Sequence, residues 1–498
     1  MQLASIQSRA QLGLQSPPVQ VEVDLANGLP SFQLVGMPET AVRESKERVR
    51  SALGNSGFAF PDGRITVNLA PADLPKGGSR FDLPIALGII AASGQLPPEH
   101  LHRFEFLGEL ALDGLLRPVP GVLPAAREAT ALRRTLIVPV GSAALAARYP
   151  GSRVLGAPDL LTLCAHLSGR DPLPAQSCEA PTDAYDYPDL ADLIGQEGPR
   201  RVLEIAAAGE HNLLLAGPPG TGKTMLASRL PGILPAPDDD EALVAMALHD
   251  LRAGSCSAIT GARPFRQPHH SSSAAALVGG GQRLLPGEAS LAHGGVLFLD
   301  ELPEFPRQCL EALRQPLESG EVRLSRANLN LSYPARFQLI AAMNPCPCGF
   351  EGDPERACRC TPEQISRYHN KLSGPLLDRI DLFTRVERIP PEELLSPAAD
   401  GEASSVVRER VCLARERQIT RQGASNSALS GERILLHCLS DKALKTYLAA
   451  AARELKLSGR ALHRTLRVSR TIADLEGAEH VQEAHLAEAL AYRPDQAS

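Results

Sequence analysis

The stretch Gly217-Pro218-Pro219-Gly220-Thr221-Gly222-Lys223-Thr224 satisfies the phosphate-loop pattern G-x-x-x-x-G-K-[ST] at every position. The run before it, Asn212-Leu213-Leu214-Leu215-Ala216, has the continuous apolar character of a strand buried on both faces. The run after it, Met225-Leu226-Ala227-Ser228-Arg229-Leu230, reads as the start of a helix. Strand, glycine-rich loop and helix in that order are the context the motif needs. The glycines let the backbone wrap several N–H groups around a phosphate chain, and the helix N-terminus adds partial positive charge. In this reading Lys223 reaches the β- and γ-phosphates of ATP, and Thr224 offers its hydroxyl to Mg²⁺. The spacing predicts an α/β nucleotide-binding core.

Outward from the loop, Val296-Leu297-Phe298-Leu299-Asp300-Glu301 is a buried strand delivering two acids at its C-terminal end, where ligands bind in open α/β sheets. Asp300, 76 residues after Thr224, is placed to hold the Mg²⁺ shell and Glu301 to polarise the attacking water. Leu339-Ile340-Ala341-Ala342-Met343-Asn344 is an apolar strand ending in an amide, Asn344, that can sense the γ-phosphate. Gly374-Pro375-Leu376-Leu377-Asp378-Arg379-Ile380-Asp381 carries Arg379, read as a finger reaching a neighbouring subunit's nucleotide; taken alone, Arg379 also fits a helix-face salt bridge. Leu193 and Ile194 either pack the adenine or belong to the core. The run Asp238-Asp239-Asp240-Glu241 reads as a solvated helix start.

The first 170 residues alternate strands (19–25, 32–36, 65–69) with helices (39–53, 82–93), an α+β pattern. A proline-rich linker follows at 171–190, then the motor core at 191–395 and a helical segment at 396–498. Leu74-Pro75-Lys76-Gly77-Gly78-Ser79-Arg80-Phe81-Asp82, with Gly108-Glu109-Leu110 and Arg117-Pro118-Val119-Pro120-Gly121-Val122, resembles the proteolytic domain of Lon proteases, which has a ribosomal S5 domain 2-like fold. Lon-type peptidases use a Ser–Lys dyad. Here that serine position falls on Arg80, with Ser79 one residue off, and the lysine position falls near Ala125, where no lysine stands. The resemblance therefore implies a Lon-like fold without peptidase activity. Lys76 and Arg80 read either as anion contacts or, preferably, as caps on a solvated loop.

With Arg263-Pro264-Phe265-Arg266-Gln267-Pro268-His269-His270, Pro286-Gly287-Glu288-Ala289-Ser290-Leu291-Ala292-His293-Gly294-Gly295 and Ser458-Gly459-Arg460 added, the chain resembles the Mg-chelatase-like AAA+ ATPases of the ComM/YifB family over nearly its whole length. The resemblance implies a P-loop NTPase core with a helical lid and a homo-hexameric ring. It also implies ATP-driven branch migration on single-stranded and branched DNA during natural transformation and recombination. A metal-chelatase-type or protein-remodelling ATPase that does not act on DNA is the other reading. Arg460 is placed as the phosphate-sensing arginine of the lid, with Arg464 as its rival. The alternating run Glu321 to Leu331 reads as a hairpin whose Arg323 and Arg326 either grip DNA phosphates in a pore or are solvated. His269 and His270 take a structural place at the base of the insert rather than a metal site, since no third ligand stands at helical spacing.

Cys346-Pro347-Cys348 and Cys358-Arg359-Cys360 are two close pairs nine residues apart, a donor set suited to tetrahedral Zn²⁺; free thiols or a redox pair are the alternatives. Cys164, Cys178, Cys256, Cys309, Cys412 and Cys438 read as single thiols. No signal peptide and no membrane-length apolar run stand in the sequence, which predicts a cytoplasmic protein with no membrane contact. Tryptophan is absent and aromatics make up 4% of the chain, so nucleic-acid binding cannot rest on many stacking rings. The net charge is −6, and residues 171–400 carry 20 Lys and Arg against 31 Asp and Glu. Any DNA contact of the middle domain must therefore use a local basic strip.

Overall fold

The computed structural model describes residues 3–177, 187–253, 262–281, 284–326, 329–394, 401–439 and 441–493. Part of the sequence-read linker, Cys178, Cys256, Ala327 and Asn328 lie outside them.

Five parallel strands form the central sheet, in spatial order Phe265–Arg266, Val296–Leu299, Gln338–Met343, Leu213–Ala216, Leu382–Arg385. The strand leading into the phosphate loop and the strand carrying Asp300 are thus not neighbours. The Gln338–Met343 strand lies between them, with Leu213 opposite Ile340 and Phe298 opposite Ile340 on its other side. Every residue of these three strands is buried, which is why each reads as an unbroken apolar run. Their common C-terminal edge gathers Gly217, Asp300 and Asn344. The chain is an α/β P-loop protein.

The N-terminal module has a four-stranded sheet in the order Leu3–Arg9, Pro18–Ala26, Arg64–Ala70, Ser31–Val35 and a smaller parallel sheet of Phe104–Phe106, Thr135–Pro139 and Val154–Ala157. The helix Asp82–Ala92 is buried along its whole length and packs on the first two strands. The helix read over 39–53 is two, Thr40–Arg43 and Ser45–Asn55, meeting at Glu44. The strand Leu3–Arg9 has no counterpart in the sequence reading. Its buried residues include Ser8, whose hydroxyl donates to the Phe106 carbonyl at 2.9 Å, and, on the opposite face, Arg9, which is buried against Glu105.

One expectation about this module changes. Lys76 and Arg80 are not caps on a solvated loop; they are 0% and 2% exposed. The Lys76 ammonium donates to the Pro71 carbonyl. Arg80 donates to Gln11 and to the Pro120 carbonyl, and burial lowers its guanidinium pKa to about 10, against the pull of Asp250. These cations brace the module internally, and Asp250 belongs to the motor helix Asp239–Ala253. The same helix seats Leu123 against Met246 and Ala247, and Asp250 accepts the Leu123 N–H at 3.3 Å. The first module is thereby docked on the motor.

The C-terminal segment is helical: Ser404–Gln422, Glu432–Cys438, Lys442–Glu454, Gly459–Leu475 and Glu483–Ala491. Ser404–Gln422 packs on both Glu197–Gly209 and the phosphate-loop helix Lys223–Ile233. Its inner face is tied by a polar cluster at Asp474, which is 1% exposed and accepts from Arg421, Arg470 and Asn426. Such a buried carboxylate is tolerated because every side is paired. Among the described residues no helix is long and apolar enough to cross a membrane.

Candidate nucleotide site

Gly220 and Gly222 carry φ of 79° and 89°, a conformation a side chain would strain, and they turn the loop into the helix that starts at Lys223. The Lys223 ammonium donates to the carbonyls of Gly217 at 2.7 Å and Pro218 at 2.8 Å and to Asn344 Oδ1 at 3.2 Å. Burial lowers its pKa, against the opposing pull of Asp300 and Glu301. Thr221 closes the loop on the Pro218 carbonyl at 3.0 Å. Thr224 Oγ1 donates to Asp300 Oδ2 at 2.9 Å, so the hydroxyl and carboxylate suited to one Mg²⁺ already face each other. A phosphate chain in the loop would meet Lys223, Thr224, Asp300 and Asn344 from one side.

Glu301 has φ 53° and ψ 48°, the left-handed region, which costs a non-glycine residue of order 1–3 kcal/mol and tends to mark functional positions. Its carboxylate lies 3.1 Å from His270 Nδ1. His270 therefore does more than support the insert, as the sequence suggested: it touches the acid next to Asp300. The segment carrying it is locked to the second insert motif, Arg266 donating to Glu288 at 2.6 Å and Val296 N–H to the Pro264 carbonyl at 2.8 Å. His270→Ala frees the Glu301 carboxylate from this partner. The expected result is a fall in kcat for ATP on the order of tenfold with KM little changed; steady-state kinetics showing no change would remove His270 from the site.

Arg379 lies on the turn after the short helix Gly374–Leu377. Within the chain it donates to Glu318 at 2.7 Å and to the Pro375 carbonyl at 2.6 Å. Arg460 pairs with Asp378 at 3.0 Å, its side chain 75% exposed. Arg464 donates to the carbonyls of Leu377 at 2.9 Å and Ile380 at 2.7 Å. Both arginines thus hold the segment around Arg379. Leu193 is 5% exposed within the motor core. The strands Glu321–Arg326 and Leu329–Pro334 form the hairpin, with Arg326 opposite Leu329. Arg323 and Arg326 are both exposed on it. The sulfurs of Cys346, Cys348, Cys358 and Cys360 lie within 4.8 Å of one another.

A family model for magnesium chelatase, subunit ChlI, matches residues 189–394, one for subunit ChlI of Mg-chelatase residues 21–142, and one for the magnesium chelatase ChlI C-terminal region residues 401–493. The competence protein ComM of Haemophilus influenzae is 51% identical over 99% of this chain and 98% of its own. YifB of Salmonella typhimurium is 50% identical over 99% and 97%. The chain belongs to the Mg-chelatase-like ComM/YifB family of AAA+ proteins. Likeness to the magnesium-chelatase 38 kDa subunit of Rhodobacter capsulatus is lower, 27% over 59% of this chain and 83% of that one. In this ComM/YifB chain the residues that the sequence reading missed are His270 as a partner of Glu301 and Glu318 as a partner of Arg379. The strand-to-turn motif around His270 marked the segment, but no local pattern shows which acid a histidine will meet.

Proposed function

We propose that this chain is an ATP-hydrolysing, homo-hexameric ring motor on DNA, a branch-migration helicase that promotes integration of single-stranded DNA in natural transformation and homologous recombination. The observation that carries the motor is the convergence of Lys223, Thr224, Asp300, Glu301 and Asn344 on one sheet edge. The residues Gly217 to Thr224 hold ATP, Thr224 and Asp300 hold Mg²⁺, Glu301 activates water, and Arg379 completes the site in a neighbouring copy. The DNA reading is supported by the full-length likeness to a protein named for competence and by the exposed Arg323 and Arg326. An arginine hairpin of this kind grips phosphates without reading bases. The first module is a Lon-like fold without peptidase activity. Ser79 donates to Glu109, and Lys76 is turned to the Pro71 carbonyl, so Lys76 is not positioned to take the serine proton.

The family models for a magnesium chelatase subunit support a second reading, a chelatase-type or protein-remodelling ATPase. ATP turnover measured with forked, four-way and linear DNA separates the two. The expected result is stimulation by DNA, strongest on branched substrates, together with movement of the branch point. ATPase activity that ignores DNA, with the branch point stationary, would overturn the DNA motor and leave the second reading.

A further inference from the structure

The central strand Gln338–Met343 ends at Asn344, and the chain then makes a loop, 345–360, before the helix Pro362–His369. Its four cysteines converge. The sulfurs of Cys346 and Cys348 are 3.3 Å apart, those of Cys346 and Cys358 3.6 Å, and those of Cys348 and Cys358 3.5 Å. A tetrahedron of Zn–S bonds of about 2.3 Å has edges of about 3.8 Å, close to these separations. A disulfide would bring two sulfurs to about 2.05 Å. The donor set is therefore a tetrathiolate cage, and with no histidine or carboxylate in it the ion it suits is Zn²⁺.

The cage also has a position. Gly349, inside the loop, has φ +84°, and a Cβ built on it would stand 2.6 Å from Pro219 Cδ and 3.9 Å from Asn344 Cγ. Pro219 is the third residue of the phosphate loop, and Asn344 bonds Lys223. The loop backbone thus lies directly on the nucleotide mouth. Its far side reaches Arg388, just beyond the edge strand Leu382–Arg385. Asp353 pairs with Arg388 at 2.9 Å, and the Phe350 ring lies under Arg356 at 5.3 Å and Arg388 at 5.6 Å. The Pro345 carbonyl is held by His369 at 2.8 Å.

Within the segment Asp353 also accepts the N–H groups of Glu355 and Arg356, both at 2.9 Å. Glu351, Gly352 and Pro354 to Ala357 are exposed, so burial contributes little against the entropy of fixing them. An ion closing the loop between its two cysteine pairs supplies that order.

We propose that Cys346, Cys348, Cys358 and Cys360 bind one Zn²⁺ that fixes Gly349 against Pro219, and that occupancy of this metal site sets the affinity of the phosphate loop for nucleotide. The inference rests on the reading of Gly217 to Thr224 as the ATP site and is independent of DNA.

The test uses the full chain, its metal content by elemental analysis and its affinity for a fluorescent ATP analogue with Mg²⁺. The wild-type chain should hold about one zinc. Cys358→Ser with Cys360→Ser should lose the zinc and weaken analogue binding on the order of tenfold. Gly349→Ala should keep the zinc and still weaken binding, because its Cβ cannot occupy the space of Pro219. That second variant decides the question if the cysteine variant fails to fold. Zinc absent from the wild-type chain, wild-type affinity in the folded zinc-free cysteine variant, or wild-type affinity in Gly349→Ala overturns the proposal. A wild-type chain that binds no analogue, like Lys223→Ala, would instead overturn the nucleotide site on which it rests.

Discussion

Glu301→Gln should leave ATP binding intact and lower turnover by about 10²–10⁴-fold, the range a positioned general base contributes. Glutamine keeps the size and the hydrogen-bonding oxygen of glutamate but cannot accept the proton of an attacking water. The geometry makes the substitution clean. The Glu301 backbone, not its side chain, donates to Asp300 Oδ1 at 2.9 Å, so the carboxylate that orients toward Mg²⁺ keeps its support. The side chain is half exposed and, among the described residues, forms its ion pair with His270, so the fold should melt at the wild-type temperature. The check is single-turnover hydrolysis alongside equilibrium binding of an ATP analogue. A rate constant within a few-fold of wild type would mean that water is activated elsewhere.

Arg379→Ala should cost the assembled protein on the order of 10³-fold or more in kcat, the scale of an arginine supplied to a transferring phosphoryl group. Within the chain that guanidinium rests on Glu318 and the Pro375 carbonyl. Glu318 is largely exposed, and an ion pair at such a site is worth about 1 kcal/mol or less, little to oppose transfer of the guanidinium to a triphosphate. In a ring whose interfaces are head-to-tail, each site takes its phosphate loop from one copy and its arginine from the next. Mixing Arg379→Ala with Lys223→Ala subunits should therefore restore hydrolysis at interfaces that combine the two intact halves. Two inactive variants that stay inactive when mixed, although they assemble together, would place Arg379 outside any shared site.

The sequence determined the parts of this protein whose chemistry is local. A strand, a glycine-rich loop and a helix in succession specify a phosphate cradle, because backbone N–H direction depends on φ and ψ over a few residues. The acids Asp300 and Glu301 were legible for the same reason, at the end of an unbroken apolar strand. The four cysteines were legible from their spacing, and the helical C-terminal segment from its period, except Glu432–Cys438, whose short apolar face gives little periodic signal. The strand Leu3–Arg9 was hidden because its buried positions include Ser8 and Arg9, polar groups made tolerable by the Phe106 carbonyl, Glu105 and the Ser16 carbonyl.

Tertiary structure alone decided the partnerships. Parallel strand order is not written in any single strand, so it was the insertion of Gln338–Met343 between its neighbours that brought Asn344 to Lys223. The same folding carried His270 to Glu301, Glu318 to Arg379, Arg80 toward Asp250 and Gly349 onto Pro219. Each of these contacts joins residues far apart in sequence, and its geometry is set by how whole elements pack, which no window of neighbouring residues contains.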